Sequence, residues 1–128
     1  MSLKDSLTVM VVDDMSTSRG IVTNCLEEMG VWKIRTENDG KAAFQSLAAQ
    51  PVHLVLSDLN MPGLDGLGLL KALRENKSTA KIGFILVTGS PNPQLIQKAA
   101  ALGLNNMIKK PFTTESMKKS IEQVVGRL

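Results

Sequence analysis

The chain has 128 residues, room for one ordinary domain and not for a second of that size. Hydrophobic residues make up 43% and charged residues 21%, so the chain can bury a core and stay soluble. The net charge is +3, but the basic residues are scattered, with only Lys109-Lys110 and Lys118-Lys119 adjacent, and four aromatics make a poor base-stacking surface; nucleic acid is not an expected partner.

Val9–Val12 is a continuous apolar run, the pattern of a parallel strand covered on both faces. Ile21, Val22, Cys25, Leu26 and Met29 then form a helical stripe, capped by a residue among Ser16, Thr17 and Ser18 and stopped by Gly30. Lys33–Thr36 alternates instead, as an edge strand with one wet side does. Ala42, Ala43, Phe44 and Leu47 make a second helical stripe, and Leu54–Leu56 a third strand. Leu67, Leu70 and Leu73 mark a third helix, followed by the apolar run Phe84–Val87. A fourth helix holds Leu95, Ile96, Ala99 and Leu102, with Pro93 near its start and Gly103 just past its end. Asn106–Lys109 is a weaker fifth strand. The last helix opens at Thr113 or Thr114 and carries Met117, Ile121, Val124 and Leu128.

This alternation predicts an α/β fold, a doubly wound five-stranded parallel sheet with five helices. No apolar run is long enough for a bilayer, and the N-terminus lacks the layout of a signal peptide. The single Cys25 fits a reducing compartment and reads as a small core residue. Cytoplasm is the expected location.

In doubly wound sheets, ligands sit beyond the carboxyl ends of the strands. Asp13 and Asp14 follow the first strand, Asp58 the third and Lys110 the fifth, while Thr88 closes the fourth. For any one aspartate, a helix cap or turn is the default role. Together, three carboxylates on one small surface repel each other unless a cation neutralises them. A hard divalent ion with oxygen ligands, such as Mg²⁺, answers that need. Lys110 precedes Pro111, where a cis bond is accessible and would help aim the ammonium at the carboxylates.

The motifs Val11-Val12-Asp13-Asp14, Ser57-Asp58-Leu59-Asn60-Met61-Pro62-Gly63-Leu64-Asp65-Gly66, Leu86-Val87-Thr88-Gly89 and Ile108-Lys109-Lys110-Pro111-Phe112-Thr113 follow in order along the chain. In these the sequence resembles the response-regulator receiver domains, and among them the single-domain chemotaxis regulators of the CheY type. The resemblance implies the flavodoxin-like strand order 2-1-3-4-5, with residues 1–128 as one receiver domain and no output domain. It makes Asp58 the acceptor of a phosphoryl group from a histidine kinase. It also makes Asp14, Asp58 and the backbone carbonyl of Asn60 ligands of Mg²⁺, with Asp13 acting directly or through water. Lys110 would pair with a phosphoryl oxygen, and the Thr88 hydroxyl would move toward another. Gly63 and Gly66 would supply backbone freedom in the loop after Asp58, though a helix boundary alone would also explain Gly66. Asn60 and Ser90 are neighbours that would tune the phosphoryl lifetime.

The chain departs from the motor-binding chemotaxis proteins at Met107, where an aromatic commonly sits three residues before the active lysine. Leu59 also lacks the Trp of some relatives, and Trp32 is expected to pack rather than report. His53 reads as a solvated turn residue.

Two rivals fail on residues. A haloacid-dehalogenase phosphatase needs a second aspartate two residues after the first, where this chain has Asn60. A flavodoxin-like electron carrier needs a phosphate loop after the first strand, where Asp13-Asp14 would repel the flavin phosphate. The expectation is therefore a switch with only self-phosphorylation and autodephosphorylation chemistry, not an enzyme. It acts as a monomer with a chemotaxis-type histidine kinase and a flagellar motor switch protein as partners, away from membranes and nucleic acids. The alternatives are a phosphate sink for a shared kinase and a regulator of a non-motor partner.

Overall fold

A parallel strand with helices on both sides must be apolar at successive positions, because adjacent side chains point to opposite faces. β1 (Thr8–Val12) does this: Val9 and Val11 enter one core, Met10 and Val12 the other. The computed structural model describes residues 3–128 and so covers all but the first two residues of the expected domain. A one-turn helix, α1 (Leu3–Ser6), precedes β1. It was not expected, since four residues are too few to show a helical period.

β1 pairs with β2 (Lys33–Glu37) on one side and β3 (Leu54–Asp58) on the other, and β4 (Gly83–Thr88) and β5 (Asn106–Lys109) extend the sheet beyond β3. All pairs are parallel and the order is β2-β1-β3-β4-β5, as expected. The alternating strand β2 is an edge.

α2 (Ser16–Glu28) and α6 (Thr114–Val125) cover one face, burying Val22, Cys25, Leu26, Met117 and Ile121 against Val9, Val11, Leu54, Leu56, Ile85 and Val87. α3 (Gly40–Ala49), α4 (Gly66–Glu75) and α5 (Pro93–Ala101) cover the other. There Leu47, Leu69, Leu70 and Leu73 pack on Met10, Val55, Phe84 and Leu86. Ile21 and Ile96, read as core positions, are instead about half exposed at 53% and 50%. Both sit at the margin of their helix's apolar stripe, where a shift of one residue turns a side chain to solvent. Trp32 is likewise exposed, at 68%, and does not pack as expected. It stands just before the edge strand, where no helix covers it.

Four helices begin at a side-chain cap: Asp39, Asp65, Asn92 and Thr113 each accept from a backbone amide of the first turn. α2 differs. Its N-cap is Met15, which makes no side-chain cap bond, so none of Ser16, Thr17 and Ser18 caps it. Ser18 is engaged elsewhere, as described below. Among the described residues, no helix is long and apolar enough to cross a membrane.

Candidate functional site

Parallel registration lines up the carboxyl ends of the central strands. Val12 lies opposite Ser57 and Asp58 opposite Val87, so Asp13, one residue past β1, comes beside Asp58 at the end of β3. Carboxylate oxygens of Asp13, Asp14 and Asp58 lie within 4.8 Å of one another. Thr88 pairs with Lys109 across β4 and β5, which brings Lys110 to the same edge. Its backbone amide donates to the Thr88 carbonyl at 2.9 Å, and the Lys110–Pro111 bond is cis. The Lys110 ammonium donates to Asp58 Oδ1 at 3.2 Å and to Ser18 Oγ at 3.3 Å.

Each aspartate is held differently. Asp13 is 3% exposed. Its amide donates to the Glu37 carbonyl at 3.1 Å, its Oδ1 accepts from the Met15 amide at 3.0 Å, and its carbonyl accepts from the Arg19 guanidinium at 2.7 Å. Asp14 is exposed at the mouth of the cluster. The Asp58 side chain is 15% exposed, and its backbone carbonyl accepts from the Ser57 hydroxyl at 2.9 Å. Burial pushes the Asp58 carboxyl above its usual value; the nearby Asp13 charge adds to this, while the hydrogen bond and charge of Lys110 and the Leu59 amide pull it back. Three carboxyl groups thus face one ammonium, a set of hard oxygen donors that fits a small divalent cation.

The loop after Asp58 is closed by the Gly66 amide donating to the Leu59 carbonyl at 2.9 Å. Gly63 has a φ of +73°, the left-handed conformation expected of it. Gly66 is needed for a different reason. A Cβ there would overlap the Asp58 carbonyl oxygen and approach Leu86 Cδ1 to 2.8 Å, so only glycine lets α4 start against the end of β3. Asn60 lies on this loop and is exposed, bordering a shallow cleft with Met61, Pro62 and Asp65.

Thr88 is 2% exposed, and its hydroxyl oxygen accepts from the Ser90 amide at 3.2 Å. Met107 is half-buried on β5, packed against the core beneath α5. It lines an open cavity of about 380 Å³ with Pro91, Ile96, Ala100 and Leu104.

The sequence model of the response regulator receiver domain family matches residues 9–122, a span holding every one of these site residues. The chain belongs to the response-regulator receiver family. Its relatives include a probable chemotaxis protein CheY of Rhizobium etli, 44% identical over 128 residues, covering 100% of this chain and 99% of that protein. The chemotaxis protein CheY-3 of Vibrio cholerae is 32% identical over 126 residues, covering 98% and 97%. Among solved structures, chemotaxis protein CheY4 of Vibrio cholerae superposes with a TM-score of 0.86 at 27% identity, over 92% of this chain and 98% of that one. The receiver domain of a Pseudomonas aeruginosa sensor histidine kinase, solved with a magnesium ion in its active-site cleft, shares the fold at a TM-score of 0.85 and 20% identity, over 94% and 98%.

In this receiver, every acidic and basic residue expected at the site lies at the carboxyl edge of the sheet, with Thr88 beside Lys110. Met107 lies three residues before Lys110 on β5, opposite Leu86 and on the flank. Sequence reasoning missed Ser18 and Arg19. Both lie in the first turn of α2, where a serine reads as a cap and an arginine as a solvated charge. His53 is exposed but is more than a solvated turn residue: its Nδ1 lies 3.0 Å from both the amide and the hydroxyl of Thr8.

Proposed function

We propose that this receiver is a phosphorylation-controlled signalling switch that accepts a phosphoryl group on Asp58 from a phosphohistidine of a chemotaxis-type kinase. The observation that carries this reading is the Asp58–Lys110 pair at 3.2 Å inside the three-aspartate cluster. Asp13, Asp14, Asp58 and the Asn60 carbonyl would hold Mg²⁺, a reading supported by the magnesium seen in the Pseudomonas aeruginosa receiver of the same fold. When bound, Mg²⁺ supplies positive charge that offsets the charge spread over the phosphoryl oxygens during transfer.

An Asp58 carboxylate oxygen attacks phosphorus, forming a P–O bond as the P–N bond to the donor imidazole breaks. The imidazole leaves with the electron pair of that bond and takes up a proton. The Lys110 ammonium pairs with a phosphoryl oxygen in place of Asp58 Oδ1. The Thr88 hydroxyl turns to donate to another. Because Ser90 is tied to that hydroxyl, the turn draws on the loop between β4 and α5. The flank of α5, β5 and α6 then changes shape and is read by a partner. The chain itself catalyses no turnover beyond its own phosphorylation and dephosphorylation.

The relatives, chemotaxis proteins by name, support chemotaxis as the setting, and the proposed partner is a flagellar motor switch protein. A second reading, a phosphate sink that drains a shared kinase, is favoured by Met107: a flexible thioether fills or leaves the cavity beside it with little change in shape.

Incubation with acetyl phosphate, with and without Mg²⁺, followed by intact mass, tests the switch chemistry. One phosphoryl adduct that requires Mg²⁺ and is absent from Asp58→Asn is expected. A folded protein that takes no adduct would overturn the proposal. Binding of a motor-switch peptide that rises with the adduct favours the motor regulator; binding indifferent to the adduct favours the sink.

A further inference from the structure

We infer that Ser18 is a positioning residue for Lys110, holding its ammonium over the acceptor before and during transfer. This rests on the proposed phosphorylation of Asp58.

Lysine has a long, flexible stem, and fixing its end costs side-chain entropy. Asp58 Oδ1 at 3.2 Å is a long partner for a charge-assisted bond, which is usually 2.7–2.9 Å. One such contact holds the ammonium loosely. Ser18 Oγ at 3.3 Å gives a second acceptor from a different element, 92 residues away in sequence. The two acceptors come from β3 and α2, so they fix the direction of the ammonium rather than only its distance.

The local sequence leaves Ser18 available for this. The three successive residues Ser16, Thr17 and Ser18 at the start of α2 offer hydroxyls, yet the helix has no side-chain cap. Ser18 is half-buried and lines a cavity of about 470 Å³ together with Ile21, Lys110, Pro111 and Phe112. The Ile21, Pro111 and Phe112 side chains of that cavity carry no hydrogen-bond acceptor.

The two contacts also have different fates. When Asp58 is phosphorylated, its oxygen is no longer a free carboxylate and Lys110 turns to a phosphoryl oxygen. Ser18 is a neutral acceptor whose chemistry does not change, so it stays as the pivot about which the ammonium moves. A lysine released from Ser18 would still reach the phosphoryl group, but from many orientations, and the effective alignment of its charge would fall.

The test uses Ser18→Ala and Ser18→Thr in the full chain, with thermal melts to confirm that both fold. In the metal-free protein, proton–nitrogen correlation spectra read the Lys110 ammonium directly. Its signal should be sharp in the parent and in Ser18→Thr, and broadened by solvent exchange in Ser18→Ala. With acetyl phosphate and Mg²⁺, Ser18→Ala should take up the phosphoryl group several-fold more slowly, with Ser18→Thr restoring most of the rate. Adding Ser18→Ala to Lys110→Met should change the rate no further. An unchanged ammonium signal, an unchanged rate, or a full additional loss in the Lys110→Met background would each overturn the inference. A parent protein that takes no adduct at all would remove the proposed function, and the positioning role with it, whereas the ammonium spectrum alone tells whether Ser18 holds Lys110.

Discussion

The two ends of the sheet are built to opposite rules. At the amino end, Arg74 on α4 donates to the carbonyls of Ala80, Ile82 and Gly103 and to Asn105 Oδ1, at 2.7–3.1 Å. Asn105 Oδ1 also accepts from the Phe84 amide at 2.8 Å, so one guanidinium ties α4 to the starts of β4 and β5. Nearby, the fully buried Thr79 hydroxyl donates to the Leu73 carbonyl at 2.7 Å. Burial lowers the Arg74 pKa, yet arginine stays charged in proteins and each of these contacts is to a neutral acceptor. At the carboxyl end, three carboxyl groups crowd one lysine, and burial raises the Asp58 pKa. One end is closed by satisfied polar groups. The other keeps a repulsion that Lys110 offsets only in part and that an added cation would relieve, as an exchangeable ligand site requires.

The largest effect should come from the amino end. Arg74→Ala takes the guanidinium from the carbonyls of Ala80, Ile82 and Gly103 and leaves Asn105 Oδ1 with the Phe84 amide alone, and should cost about 3 kcal/mol, or roughly 10 °C in melting temperature. Its Mg²⁺-dependent adduct should survive at temperatures where it is folded. A melt shifted by only a degree or two would mean that this end is not what locks β4 and β5.

Gly66→Ala probes a rigid contact at the carboxyl end. The added methyl meets the Asp58 carbonyl and Leu86, so α4 or β3 must shift, at about 2 kcal/mol. Adduct formation should fall along with stability. Retained phosphorylation would show that the acceptor tolerates displacement.

Asp58→Asn should have a smaller effect of opposite sign, raising metal-free stability at neutral pH. The folded pKa of Asp58 lies above its unfolded value, so the folded state binds this proton more tightly. The resulting stability is present in acid and is lost as pH rises from the unfolded value through the folded one. The advantage of the asparagine variant should therefore grow over that window and disappear in acid. Urea melts of both proteins across pH check this, and an advantage independent of pH would contradict it.

The contrast also separates what the sequence could and could not reveal. Val9–Val12, Leu54–Leu56 and Phe84–Val87 announce central strands because burial on both faces leaves no polar position. The strand ends then point to Asp13, Asp14, Asp58, Thr88 and Lys110, since those residues need only the strand boundaries to be found. Ser18 and Arg74 were not legible in the same way. Ser18 meets Lys110 across 92 residues, and Arg74 meets Gly103 and Asn105 across 29 and 31. Such contacts depend on packed helices and leave no local period. Trp32 and Ile21 failed for the converse reason: hydropathy marks a residue as apolar but not whether a neighbouring element covers it.

The most direct measurement is the melting temperature of the metal-free protein as Mg²⁺ is added, compared with Asp13→Asn and Asp58→Asn. If the carboxyl end is held short of a cation, the parent melt should rise with the logarithm of Mg²⁺ above its dissociation constant. Both variants should respond far less. A parent melt that ignores Mg²⁺, or variants that respond equally, would contradict the account.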